Sequence, residues 1–226
     1  MKRQFLQGLF FVSVVACASA FVHADELWEN AIDAYERSKD NQPKVMHMRY
    51  EELKKDGSVD DVREIDSVFV KKENGQTDSE IIKVVHNGKD ITEQEKKKSN
   101  DDKGKKQTFS LRGDLFAREK QDSVKYSRLE GSTLVAEKDC VVYAFEQKVS
   151  DTVNYKGRVW LDSTNGLPVK SEFTMNPLPS KVKKMDIVVH YMVNDGLFAF
   201  KTISFNVHAS FLIISKRIRT FMEFGY

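Results

Sequence analysis

Leu27, Trp28, Ala31, Ile32 and Tyr35 recur at three- and four-residue spacing with charged residues between them. That is the period of a helix burying one face. The pattern predicts a helix over 25–38, closed off by Pro43. After it the pattern changes to alternation, which predicts strands over 45–53 and 59–70 joined at Asp56-Gly57, then 81–86 ending at Asn87-Gly88. A short helix is expected over 91–98, with Thr92 as its cap and Glu95 completing a capping box. Further strands follow over 126–130, 139–149, 155–162, 167–175, 182–193, 197–209 and 211–224. Turn signals punctuate them at 151–152, 163–166, 177–179 and 194–196. Strands this long with such short connections predict a mainly β protein with a few helices (α+β), built on one large, curled antiparallel sheet.

The first 24 residues read differently. Met1-Lys2-Arg3 is a cationic start, residues 5–16 are apolar, and Val22-His23-Ala24 stands before acidic Asp25-Glu26. This is the layout of a secretory signal peptide over 1–24, too short and wrongly flanked for a membrane anchor. Val14-Val15-Ala16-Cys17 also resembles a lipobox, so the alternative is a lipoprotein signal over 1–16 with Cys17 lipidated. Residues 25–226 are expected to form a single domain.

Composition narrows the function. The chain of 226 residues carries 36 Lys and Arg against 34 Asp and Glu. Lys2 and Arg3 lie in the leader, which has no acidic residue, so the remainder balances at 34 − 34 = 0. A chain without a basic surplus has no overall electrostatic claim on nucleic acid. A local surplus exists from Asn165 onward, where eight Lys and Arg meet four Asp and Glu, clustered at Lys181, Lys183, Lys184 and at Lys216, Arg217, Arg219. These clusters could meet anionic lipid headgroups or be ordinary solvated strand faces. The charged run over 96–106 reads as a solvated loop, since Asp101 and Asp102 dilute it.

Motifs for catalysis are missing. His47, His86, His190 and His208 each stand alone on a predicted strand, without ligand-like spacing, and no P-loop, Gly-x-Ser-x-Gly or Gly-x-Gly-x-x-Gly occurs. No catalytic residue, metal site or cofactor is expected. A hydrolase would need a nucleophile brought to His190 or His208 in a cleft by the fold. Once Cys17 leaves with the leader or is lipidated, Cys140 has no partner for an internal disulfide; its apolar neighbours suit a buried small residue.

Aromatic residues crowd the strands, and each taken singly is an ordinary core residue. Taken together they suit the concave side of one curled sheet, which a single good helix cannot fill, leaving an apolar cavity for a lipid. Trp28, Val159, Leu161, Phe173, Tyr191 and Phe205 are the candidate cavity residues. Phe109, Leu111, Leu115 and Phe116 form a weaker apolar group that could cap it.

At Tyr155-Lys156-Gly157-Arg158-Val159-Trp160-Leu161-Asp162-Ser163-Thr164-Asn165-Gly166-Leu167-Pro168-Val169-Lys170 the sequence resembles the LolA/LolB-like superfamily of outer-membrane lipoprotein-sorting proteins. The motif is a strand ending in Trp-Leu-Asp, a tight Gly turn, then Leu-Pro and a return strand. The resemblance implies an incomplete antiparallel barrel, helices across its mouth, and a hydrophobic cavity for lipid or lipoprotein acyl chains. It implies a non-enzymatic, periplasmic protein peripheral to the membrane, or an outer-membrane lipoprotein, that works in lipoprotein sorting or lipid transport. Dedicated carriers of the family grip cargo with a particular arginine, which the resemblance does not assign to a position here. The alternative is a sensor or accessory protein using the same fold to bind a protein partner, such as an envelope transporter or regulator.

Overall fold

A computed structural model describes residues 25–71, 77–101, 114–211 and 214–226. The leader, Cys17, Phe109 and Leu111 lie outside the described residues, as does the end of the charged run beyond Asp101. Helix α1 (Glu26–Ser38) is followed by strands β1 (Val45–Leu53), β2 (Val59–Lys71), β3 (Thr77–His86) and the two-residue β4 (Lys89–Asp90). Helix α2 (Thr92–Asp101) and two 3-10 turns (Asp114–Phe116 and Arg118–Ser123) separate these from the rest. Then come β5 (Val124–Val135), β6 (Lys138–Lys148), β7 (Asn154–Asp162), β8 (Pro168–Asn176), β9 (Val182–Asn194), β10 (Leu197–Phe211) and β11 (Ile214–Gly225).

All 11 strands join one antiparallel sheet in the order β4-β3-β2-β1-β11-β10-β9-β8-β7-β6-β5. The sheet does not close, so the molecule is an incomplete barrel with edges at β4 and β5. Its centre is the pairing of the first and last strands, from Val45 opposite Gly225 to Leu53 opposite Arg217. Local pattern cannot reveal that long-range pair.

Register places the two faces. Arg128, Tyr143, Val159, Ser171, Val189, Ile203, Met222, Met48, Ile65 and Val84 stand directly opposite one another from β5 across to β3. Opposed residues point to the same side of an antiparallel sheet. The row is apolar except at Arg128 and Ser171, and it defines the concave face. The convex face alternates with it and is charged, with pairs such as Arg49 opposite Glu64 and Arg158 opposite Glu172.

Two local expectations need correction. Thr92 does not cap α2 from outside but is its first residue. The Asp90 carboxylate accepts the Thr92 N–H at 2.9 Å and its hydroxyl at 2.6 Å, and Thr92 Oγ1 in turn accepts the Val84 N–H at 2.9 Å. Thr92 is thus spent on pinning the helix to β3, while Glu95 meets Lys98 at 2.9 Å rather than closing a capping box. The boundary of the last hairpin also moves: Phe211 belongs to β10 and pairs with Ile214 of β11.

Candidate functional site

The concave face divides into two regions. Over a region that runs from β5 to the start of β10, α1 lies with Trp28, Ala31, Ile32, Ala34 and Tyr35 buried, the face its periodicity predicts. Trp28 stacks on Tyr126 with ring centroids 4.0 Å apart and meets Phe116 at 5.2 Å and Tyr143 at 5.5 Å. Val159 and Leu161 lie in the same cluster, each fully buried.

Helix α1 is held at both ends. Its cap, Asp25, accepts the Leu27 N–H at 3.1 Å and the Tyr143 hydroxyl at 2.6 Å. Burial, then the Asp25 contact, pushes the Tyr143 phenol well above its ordinary value, so it stays a proton donor. The Trp28 indole N–H donates to Gln121 Oε1 at 3.0 Å, and Gln121 Nε2 donates to the carbonyls of Leu115 and Ala117. Arg118 reaches Asp33 at 2.6 Å, while its backbone N–H meets Glu36. At the far end Ser38 Oγ accepts the Phe198 N–H at 2.9 Å.

The Trp160-Leu161-Asp162 hairpin supplies another fastening. Asp162 accepts from the Thr164 N–H at 3.0 Å, the Thr164 hydroxyl and Lys138. This fixes the turn so that Gly166, at φ +74°, lies against α1. A Cβ there would sit 2.6 Å from the Leu27 carbonyl oxygen, so the glycine meets a backbone and a packing demand together.

Beyond this roofed region a second apolar cluster continues over β9, β10, β11, β1 and β2. Ile187, Val189, Ile203, Met222 and Phe224 are its buried members; Met46, Met48, Met185, Phe200 and Phe205 are partly buried against it. It contains no residue of either α-helix. Methionine is flexible and polarizable, so such a lining can re-pack around varied apolar shapes. Phe173 and Tyr191 bridge the two clusters. Tyr191 shares a 2.9 Å hydrogen bond with Ser171, and burial pushes its phenol up to about 12.

The six candidate cavity residues therefore share one face without sharing one cavity. Trp28 is on α1 and packs with Val159 and Leu161 beneath it, Phe205 lies in the second region, and Phe173 and Tyr191 lie between. Sequence reasoning missed the Met46, Met48, Met185 and Met222 lining and Ser171; alternation along β1 and β9 marked the methionines, but nothing marked the serine. Leu115 and Phe116 do cover Trp28. A cavity of about 40 Å³ lies at the end of α1, lined by Tyr35, Ser38, Asn41, Phe198, Phe200 and Tyr226. It has room for only a few water molecules.

The arrangement offers apolar surface rather than reactive groups. Among the described residues no group of His, Cys, Asp and Glu could hold a metal ion. Cys140 is buried on the opposite face with Trp160 and Val169, and burial raises its thiol pKa. His208 Nε2 lies 2.9 Å from Ser215 Oγ, but on an exposed strand surface, and no carboxylate among the described residues hydrogen-bonds that ring. His190 faces Lys170 and Lys201, which with burial lower its pKa. Among the described residues no helix is long and apolar enough to cross a membrane.

Sheet and helix together define an open half-barrel with one end of its concave face roofed. No protein-family model matches the chain, and no curated protein does. Among solved structures it is similar to a domain described as an outer membrane lipoprotein-sorting protein from Vibrio parahaemolyticus, at 13% identity and a TM-score of 0.37 over 88% of this chain and 92% of that one. It is similar to a LolA superfamily protein from Nitrosomonas europaea, at 11% identity and 0.35 over 87% and 91%. It is also similar to the MucA/MucB complex structure from Pseudomonas aeruginosa, at 13% identity and 0.24 over 86% and 94%.

Proposed function

We propose that this is a non-enzymatic protein of the bacterial envelope that holds lipid or lipoprotein acyl chains against its concave face, in lipoprotein sorting or lipid transport. The supporting observation is the apolar cluster over β9, β10, β11, β1 and β2, which contains no residue of either α-helix, while α1 lies over the cluster that runs from β5 to the start of β10. The ligand surface is the Met- and Phe-lined stretch around Met48, Met222, Ile203 and Phe205, with Phe173 and Tyr191 at its inner limit. Each methylene buried there contributes about 0.8 kcal/mol, so one acyl chain is a substantial ligand. The protein is exported by the leader over 1–24, or anchored through Cys17, and residues 25–226 act as one domain.

Native mass spectrometry of protein purified from its own envelope tests this directly. Acyl-bearing adducts are expected, and Met48→Asp with Met222→Asp should remove them. A protein that is always empty, and whose melting temperature does not rise with lipids or lipopeptides, overturns the reading. A second reading, binding of a protein partner, draws on the roofed region, which Trp28, Phe116, Tyr126 and Tyr143 fill with the chain's own rings. Recovery of one stoichiometric partner from envelope extracts, with no lipid bound, would favour it.

A further inference from the structure

The balanced charge of the chain is unevenly placed along the barrel axis. Strands β9, β10, β11 and β1 are neighbours, so the start of β9, the end of β10, the start of β11 and the end of β1 lie side by side at one end. Register sets Lys184 opposite His208, His208 opposite Arg217, and Arg217 opposite Leu53. The Arg217 guanidinium donates to the Lys55 carbonyl at 3.3 Å. Lys54, Lys55, Lys181, Lys183, Lys184, Lys216 and Arg217 thus form a band across the neighbouring strand ends, against Glu52, Asp56, Asp60, Asp61 and Asp186. Lys216 pairs with Glu52 at 2.9 Å and Lys184 with Asp186 at 2.8 Å, both solvent-exposed lysines. Lys183, Arg217 and Lys55 form no ion pair among the described residues. At the opposite end the strand ends and turns carry Asp40, Asp78, Glu137, Asp139, Asp162 and Asp195 against Lys39, Lys44, Lys71 and Lys138. The barrel has a basic end and an acidic end.

The basic end is also where the concave face opens onto half-buried apolar residues. Met185, Val207 and Ile218 stand opposite one another there, next to Phe205. We propose that this end docks on an anionic lipid bilayer, the Lys181–Lys184 and Lys216–Arg217 groups meeting headgroups while the apolar lip faces the membrane. A basic rim around an apolar lip is the combination interfacial binding requires, because each cation near an anionic surface contributes about 1 kcal/mol. The docking goes beyond cargo binding and does not depend on it: a protein with an empty concave face would still bind the surface.

Vesicle flotation tests it, using protein purified from the cells that express it, its N-terminus verified by mass spectrometry as free of leader and lipid. Vesicles of phosphatidylcholine with phosphatidylglycerol are compared with phosphatidylcholine alone at low salt. Binding to the anionic vesicles only, weakened roughly 100-fold by K55E with K183E and R217E, is the expected result. The variants change exposed side chains, and an unchanged melting temperature verifies their fold. K39E with K44E, at the acidic end, should leave binding intact. Equal binding to both vesicle types, no binding to either, equal loss in the acidic-end variant, or binding unaffected by the triple variant each overturns the proposal. Capture of an acidic protein without vesicle binding does so too.

Discussion

Gly157 shows how one residue decides a packing. It lies opposite Phe145 and Phe173 on the concave face, and a Cβ there would stand 2.0 Å from the Glu172 carbonyl oxygen and 2.5 Å from Phe173 Cβ. The missing side chain lets Phe173 approach β7 and meet Phe145 and Tyr155 at 6.1 and 5.2 Å. Gly157→Ala should cost about 1–3 kcal/mol, read as a lower urea midpoint, because backbone rather than a flexible tip must move. On the convex face Glu51 is 6% exposed and bonded by Arg49 at 2.7 Å and by Arg219. The Arg49 contact, then Arg219, holds its carboxyl below the ordinary value against the opposing effect of burial. Its contribution is fully present above the unfolded pKa of about 4.3 and is lost as pH falls through the lower folded value. Glu51→Gln should therefore destabilise by about 1–2 kcal/mol at pH 7 and show a smaller fall in melting temperature between pH 5 and 3 than the wild type. Neither residue was legible beforehand: Arg219 is 168 positions from Glu51, and a glycine in a strand does not announce which ring will cross it.

At the scale of elements, α1 was readable because its buried face is local, written in a 3.6-residue period. Its fastenings were not, since Gln121, Tyr143, Gly166 and the Phe198 N–H come from four separate stretches of chain. Gln121 is the most consequential: it accepts from Trp28 while its amide spans two carbonyls of the 3-10 turns. Gln121→Ala should leave the indole N–H unpaired and cost about 1–3 kcal/mol, with faster hydrogen exchange in α1 than in β6 or β7 as the specific readout. Uniform loss of protection across the sheet would show that the glutamine supports the whole fold instead. Thr92 marks the opposite case, where a correct helix signal concealed a tertiary role. The capping motif suggested a free-standing start, but the hydroxyl was taken by β3.

For the whole molecule, the hydrophobic alternation displayed which residues share a face and the turns displayed which strands are hairpins. It could not display curvature, the strand order at the seam, or how the concave face would divide into a filled and an open region. Those follow from pairings between distant strands and from the volume of side chains that meet only in the fold. A ligand held on the open region binds the folded state alone, so saturation at 100 times its dissociation constant should add about 2.7 kcal/mol, visible as a rise in melting temperature. Placing a carboxylate on that apolar surface by Met48→Asp should abolish that rise.

The pairing of β1 with β11 makes the strand order a meander cut at a different point: starting at β5, the sheet reads in unbroken sequence to β11 and then from β1 to β4. Every hydrogen-bonded neighbour except that seam is a chain neighbour. A circular permutant that links Tyr226 to Asp25 and opens the chain between α2 and β5 would turn the one distant contact into a local one. Since loop closure between distant segments slows folding, the permutant should refold faster while keeping the same registers. In the natural order the sheet cannot be completed until Gly225, at the far end of the last strand, has taken its place beside Val45.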